Sequence, residues 1–141
     1  MKLYASTSGE AAFARLAKGG DFLRELTRAA NEIGIEAGTV QAIGAVSRLV
    51  LGFYDQDRRE YEQLTFHEHL EIASGLGNLS LRDGESFVHL HVVASRADGS
   101  TIGGHLMEGS TVFAAEAYFR SLDGPAPVRE LDEETGLHLW R

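Results

Sequence analysis

The chain has 141 residues, 43% hydrophobic and 24% charged, and no cysteine. One domain is expected at this length, without disulfides, thiolate metal sites or a cysteine nucleophile, so a transition-metal site must be built from histidine and carboxylate. A net charge of −8, with Arg58-Arg59 flanked by Asp55, Asp57 and Glu60, speaks against direct duplex DNA binding, and with neither a membrane-length apolar run nor a secretory signal the expected address is the cytoplasm.

Residues 1–9 read as a short strand or a loose arm, and Ser6-Thr7-Ser8-Gly9 lacks the downstream lysine of a phosphate loop. Residues 11–18 suit a strand with Phe13 and Arg15 on one face. Asp21 after Gly19-Gly20 reads as a helix N-cap. Phe22, Leu23, Leu26, Ala29, Ala30 and Ile33 then fall at helical spacing, and Gly34 follows as a C-terminal glycine. Residues 39–54 are β-rich, as two strands or one bent near Gly44. Residues 55–58 form a turn, and 61–66 and 68–74 read as short strands. Gly75 and Gly77 mark a break before a strand at 78–81, and 82–85 form a second turn. Residues 87–95 are apolar on both faces, as a central strand is. Ala97-Asp98-Gly99 is a hairpin turn, with 101–107 returning. Strands are expected at 112–120, 125–131 and 137–140. One helix among many tightly turned strands is an α+β layout, a mostly antiparallel sheet packed by one main helix, as a single domain over 1–141.

Alternation along a strand puts His89 and His91 on one face. Imidazoles in a central strand are costly to bury unless their nitrogens are satisfied, and a shared metal ion would satisfy them. The hairpin decides whether His105 joins them. A two-residue loop turns His105 away. A three-residue loop, with Gly99 in the left-handed position, sets it opposite His91 and diagonal to His89. Gly103-Gly104 permits either a bulge or a close approach there. Three nitrogen ligands with an open fourth position would resemble a catalytic zinc site; the alternative is two hydrogen-bonded core histidines and one unrelated surface histidine.

Other candidates are weaker. His67, His69 and Glu71 alternate in the same way, as a second ligand set or a solvated strand face. Glu116, in an apolar stretch, is paired, exposed, or a base beside a metal. Arg15, Gly20 and Asp21 suggest an anion site at a helix N-terminus, against a simple cap.

The chain resembles the plant- and prokaryote-conserved (PPC) domain family, in its prokaryotic stand-alone form without an AT-hook. The resemblance rests on residues 15–21, 42–47, 70–72 and 77–79, and most strongly on Val88-His89-Leu90-His91-Val92 and Gly103-Gly104-His105-Leu106, with Glu116 at the expected acidic position. It implies an α+β fold, a homotrimer, and a metal on His89, His91 and His105; zinc is the divalent ion expected there, and Glu71 and Glu116 are candidate carboxylates near the site. Members are often labelled DNA-binding because plant relatives carry Arg-Gly-Arg-Pro hooks that enter the minor groove; this sequence contains none. The reading is a metal-binding module for assembly or partner recognition. The alternatives are a metal-dependent hydrolase or lyase acting on a small molecule, or a DNA-associated regulator.

Overall fold

A computed structural model describes residues 1–5 and 10–141, so Ser6-Thr7-Ser8-Gly9 lies outside the described residues. In chain order the elements are β1 (Lys2–Ala5), β2 (Ala11–Arg15), α1 (Phe22–Ile33), β3 (Gly38–Asp55), β4 (Glu60–Phe66), β5 (Leu70–Arg82), β6 (Glu85–Ser95), β7 (Thr101–Leu106), β8 (Thr111–Ser121), β9 (Val128–Leu131) and β10 (His138–Trp140). The strands form one sheet in the order β1-β2-β8-β3-β7-β6-β5-β9-β10, with β4 on β3. Its pairings are antiparallel, except that β9 runs parallel to β5. Because β3 also pairs with β5, the strands β3, β7, β6 and β5 close upon themselves.

The helix is written in its ends. Asp21, in extended conformation, accepts the Arg24 N–H at 3.0 Å. It also accepts the Gly109 N–H from the connection between β7 and β8. Gly34 ends the helix in the left-handed region, φ 82°, with its N–H on the Ala30 carbonyl, where glycine carries no Cβ penalty. Phe22, Leu26, Ala29 and Ala30 are buried against the sheet's inner face. Burying the two larger side chains contributes about 1.5–3 kcal/mol each. The inner face itself is built by alternation, with Val88, Leu90, Val92 and Ala94 of β6 meeting Phe119 and Val40.

Of the two forms expected for residues 39–54, the structure has the single strand irregular near Gly44: β3 runs 18 residues, Gly38–Asp55, with a register shift between Ala42 and Gly44. One expectation changes. Gly75 and Gly77 do not break the chain: β5 runs straight through both. A Cβ on Gly77 would lie 1.9 Å from the His89 carbonyl oxygen, and one on Gly75 would lie 3.1 Å from the Ala42 carbonyl oxygen. Here glycine allows close strand approach rather than a turn. At the start of the chain, residues 2–5 pair with β2 as a strand. No described helix is long and apolar enough to cross a membrane.

Candidate metal centre

The hairpin between β6 and β7 sets the site. The Arg96 N–H donates to the Ser100 carbonyl at 2.9 Å, and Gly99 takes φ 83°. This is the three-residue loop, and it brings His91 opposite His105. His89, two residues along β6, lies opposite Asn78 of β5. The close approach expected of Gly103 and Gly104 is real, and the register from His91 to Ser95 carries no bulge. A Cβ on Gly103 would stand 2.9 Å from the Val92 carbonyl oxygen, and one on Gly104 would stand 3.1 Å from that of Gly52.

The three rings converge. Their centroids are 5.1 Å apart for His89–His91, 5.0 Å for His89–His105 and 5.5 Å for His91–His105. One nitrogen from each lies within 4.8 Å of the other two. Tyr61 of β4 stacks on His105 from outside, at 5.2 Å. Burial, then the charges of His105, Arg129 and His91, lowers the pKa of His89 to about 4. Burial, then His91 and Arg129, lowers that of His105 to about 4. At neutral pH both rings are therefore uncharged, as metal ligation requires. His105 Nδ1 is buried without a hydrogen-bond partner. An unsatisfied polar atom of that kind costs about 1–3 kcal/mol, and an ion coordinated through it would remove the deficit. The donor set fits a borderline-soft divalent ion, since three imidazoles with no thiolate suit zinc among others.

His89 and His105 form part of the wall of a cavity of about 640 Å³. Next to His89 in the same lining stands Arg129 of β9, a residue the sequence reading did not single out. Its side chain is enclosed (the residue is 8% exposed). Nε donates to Ser80 Oγ at 2.8 Å, Nη1 to the His138 carbonyl at 3.0 Å and Nη2 to Asn78 Oδ1 at 2.9 Å. Nη2 also lies 3.4 Å from His89 Nδ1. The rings of Phe87 and Trp140 lie 5.0 and 5.4 Å from the guanidinium. Nothing local marks this arginine. Its role comes from the parallel β5–β9 pairing, a contact across some fifty residues of chain. The alternation of Val128-Arg129-Glu130, with the arginine inward and its neighbours exposed, runs against hydropathy.

The remaining candidates sit elsewhere. Glu71 is exposed on β5, opposite Ser95, five residues along from Leu76, the partner of His91. That is about 16 Å of strand. Glu116 is exposed on β8, between Arg15 of β2 and Ile43 of β3. It is three strand spacings from β6, about 14 Å. Neither carboxylate lines the cavity. His67 and His69 lie in the connection between β4 and β5, so they share no strand face with Glu71. Among the described residues only the three converging histidines form a group able to hold an ion. The anion site imagined at Arg15, Gly20 and Asp21 is filled by the chain's own carboxylates: Asp21 caps the helix, and Glu25 Oε2 accepts the Ala17 N–H at 3.0 Å. Arg15 points to solvent, and a Cβ on Gly20 would lie 2.8 Å from Glu25 Cγ.

Known proteins of this shape share the arrangement of the whole chain. A metal-containing protein from Archaeoglobus fulgidus is 40% identical, with 99% of this chain and 96% of that one aligned at a TM-score of 0.89. A plant- and prokaryote-conserved protein from Pyrococcus horikoshii is 32% identical over 93% and 90% of the two chains, TM-score 0.87. A Bacteroides thetaiotaomicron protein with a provisional DNA-binding label is 25% identical over 99% and 96%, TM-score 0.88. Among curated proteins, the bifunctional protein GlmU of a Synechococcus strain is 38% identical over 100 residues; this is 70% of the present chain, which spans about 15% of that relative's length. The model of the Plants and Prokaryotes Conserved domain matches residues 4–123, and the chain belongs to that family.

Proposed function

We propose that His89, His91 and His105 hold one divalent ion, zinc in the first instance, and that the chain is a homotrimeric metal-binding module serving assembly or partner recognition. The observation that carries the reading is the convergence of three imidazoles on one face, with ligand atoms within 4.8 Å of one another. The buried, unpartnered His105 Nδ1 and the metal-containing Archaeoglobus relative support it. Bound there, the ion would supply Lewis acidity. The protein's own part is to hold two of the rings neutral by burial, to fix their register by the three-residue hairpin, and to support His105 against Tyr61.

The trimer is supported by an unusually apolar outer face. Phe13, Ile43, Leu76, Val93 and Phe113 are each 45–60% exposed. Strand register places two of them, Phe13 and Leu76, in one row with His91, through Phe13 to Tyr118, Tyr118 to Gln41, Gln41 to Leu76 and Leu76 to His91. Contiguous exposed apolar area of this kind marks an interaction surface. A DNA-associated role has no comparable support in a chain of net charge −8.

The cavity favours a second reading, a metal-dependent hydrolase or lyase acting on a small molecule. Its walls hold two of the three histidines, and its volume is that of an ordinary small-molecule site. Glu71 and Glu116 stand too far off to serve it as a base. Zinc titration into chelator-treated protein tests the shared premise. About one equivalent per chain should saturate the site and raise the melting temperature by mass action; no uptake would remove both readings. Turnover of ester or phosphoester probes by the zinc-loaded protein, lost in His89→Ala, would then select the enzyme.

A further inference from the structure

The cavity beside the histidines has an unbalanced charge. Arg129 is enclosed, and among the described residues it makes no ion pair. Burial and the neighbouring charge of Arg82 both hold its pKa below the ordinary arginine value. Arg82 is itself poorly compensated. Its Nη2 meets His138 Nε2 at 3.3 Å, and its one ion pair among the described residues, at 3.6 Å, is with Asp83, whose side chain is 89% exposed. Two carboxylates line the cavity, Glu60 and Glu108. Both are engaged by arginines outside it, Glu60 by Arg58 at 3.3 Å and Glu108 by Arg24 at 2.6 Å.

A buried cation without a counter-charge is expensive. Here the neighbours increase the cost, because the two guanidiniums repel each other. A divalent ion on three neutral histidines would add further positive charge without adding an anionic ligand. The guanidinium is also pre-organised. It lies beside the Phe87 and Trp140 rings and is fixed by Ser80, Asn78 and the His138 carbonyl. Of its five N–H groups, these bonds use three, and the 3.4 Å approach of Nη2 to His89 Nδ1 occupies a fourth. The remaining free donor is on Nη1, and a ligand can also draw the Nη2 donor away from its long contact with His89. A fork held in this way is what recognises a carboxylate or a phosphate.

We infer that the cavity between the histidines and the β9–β10 arm binds a small oxyanion, the carboxylate or phosphate group of a metabolite-sized molecule, with Arg129 as its principal anchor and Arg82 as the second. The inference deepens the metal reading, on which it rests for the positive charge beside Arg129. The arginine pair itself is present with or without an ion. Ligand size follows from the cavity, since about 640 Å³ admits more than a bare ion.

The test is equilibrium binding of two probes, inorganic phosphate and malonate, at ionic strength held constant with sodium chloride. Isothermal calorimetry would be run on zinc-loaded and chelator-treated protein, with Arg82→Gln, Arg129→Lys and the surface control Arg120→Gln. The expected result is saturable binding of at least one probe by the wild type in both states, tighter when zinc is present. Arg82→Gln should weaken it about tenfold, Arg129→Lys should weaken it at least as much, and Arg120→Gln should leave it unchanged. Whichever probe binds more tightly identifies the group as phosphate or carboxylate. Arg82 is partly exposed, so its variant keeps the test open if the Arg129 variant misfolds. The inference is overturned if neither probe outcompetes chloride, or if folded Arg82→Gln binds as the wild type does. Probe binding that survives in a chain that takes up no zinc would sink the metal reading and leave the oxyanion site standing.

Discussion

Each of the three histidines answers to a different neighbour. His89 looks across to Arg129, His91 sits at the rim beside Leu76, and His105 is pressed against Tyr61. The common face of His89 and His91 could be read from alternation alone. The addition of His105 turned on one residue of loop length, and Gly99 settled it. Arg129 was not legible, because an arginine in a short strand carries no local sign of the charge balance it meets after folding. The lowered pKa values have a consequence for the metal-free protein. Both rings bind protons more weakly in the folded state than in the unfolded chain, where the ordinary imidazole value of about 6.5 applies. The unfolded state therefore gains protons first as pH falls. The stability associated with the neutral rings is complete above pH 6.5 and is lost progressively towards pH 4. Urea denaturation of chelator-treated protein should show stability declining as pH falls through that window. In His105→Gln the decline should be visibly shallower; an equal slope would mean that His105 is not the group responsible.

Among the elements, the helix was readable because both its ends are chemical. An aspartate cap and a left-handed glycine act within one turn of chain, and the apolar stripe between them has one period. Asp21→Ala should cost about 1–2 kcal/mol, since the carboxylate also holds Gly109, and thermal unfolding would measure it. Strand β5 shows the opposite case. Gly75 and Gly77 look like a break in the sequence, yet they let β5 lie against its neighbours, and turn glycine and close-approach glycine are the same letter until the partner strand is known. Gly77→Ala should therefore do more than a strand substitution normally does. Its Cβ would strike the His89 carbonyl, so either β5 or β6 must shift. A loss of about 1–3 kcal/mol is expected, together with weaker zinc binding through displacement of His89. A variant with wild-type zinc affinity would show that the approach is looser than described.

For the whole molecule, the α+β class followed from one helix and many turns, but the closure of β3, β7, β6 and β5 did not. It depends on β3 pairing with several partners along its 18 residues, which no local pattern encodes. The apolar outer face is a property of this scale as well, since its members come from five strands. If it joins three copies, Leu76→Glu should shift sedimentation from trimer to monomer at micromolar concentration, because a buried unpaired carboxylate costs several kcal/mol; a wild type that sediments as a monomer would refute the trimer outright. The most direct test of the metal centre is the per-chain metal content of purified protein, wild type beside His89→Ala, His91→Ala and His105→Ala. The account predicts about one divalent ion per wild-type chain and a large loss in each variant. A wild type that carries no metal and cannot be loaded, or variants that keep a full complement, would contradict it.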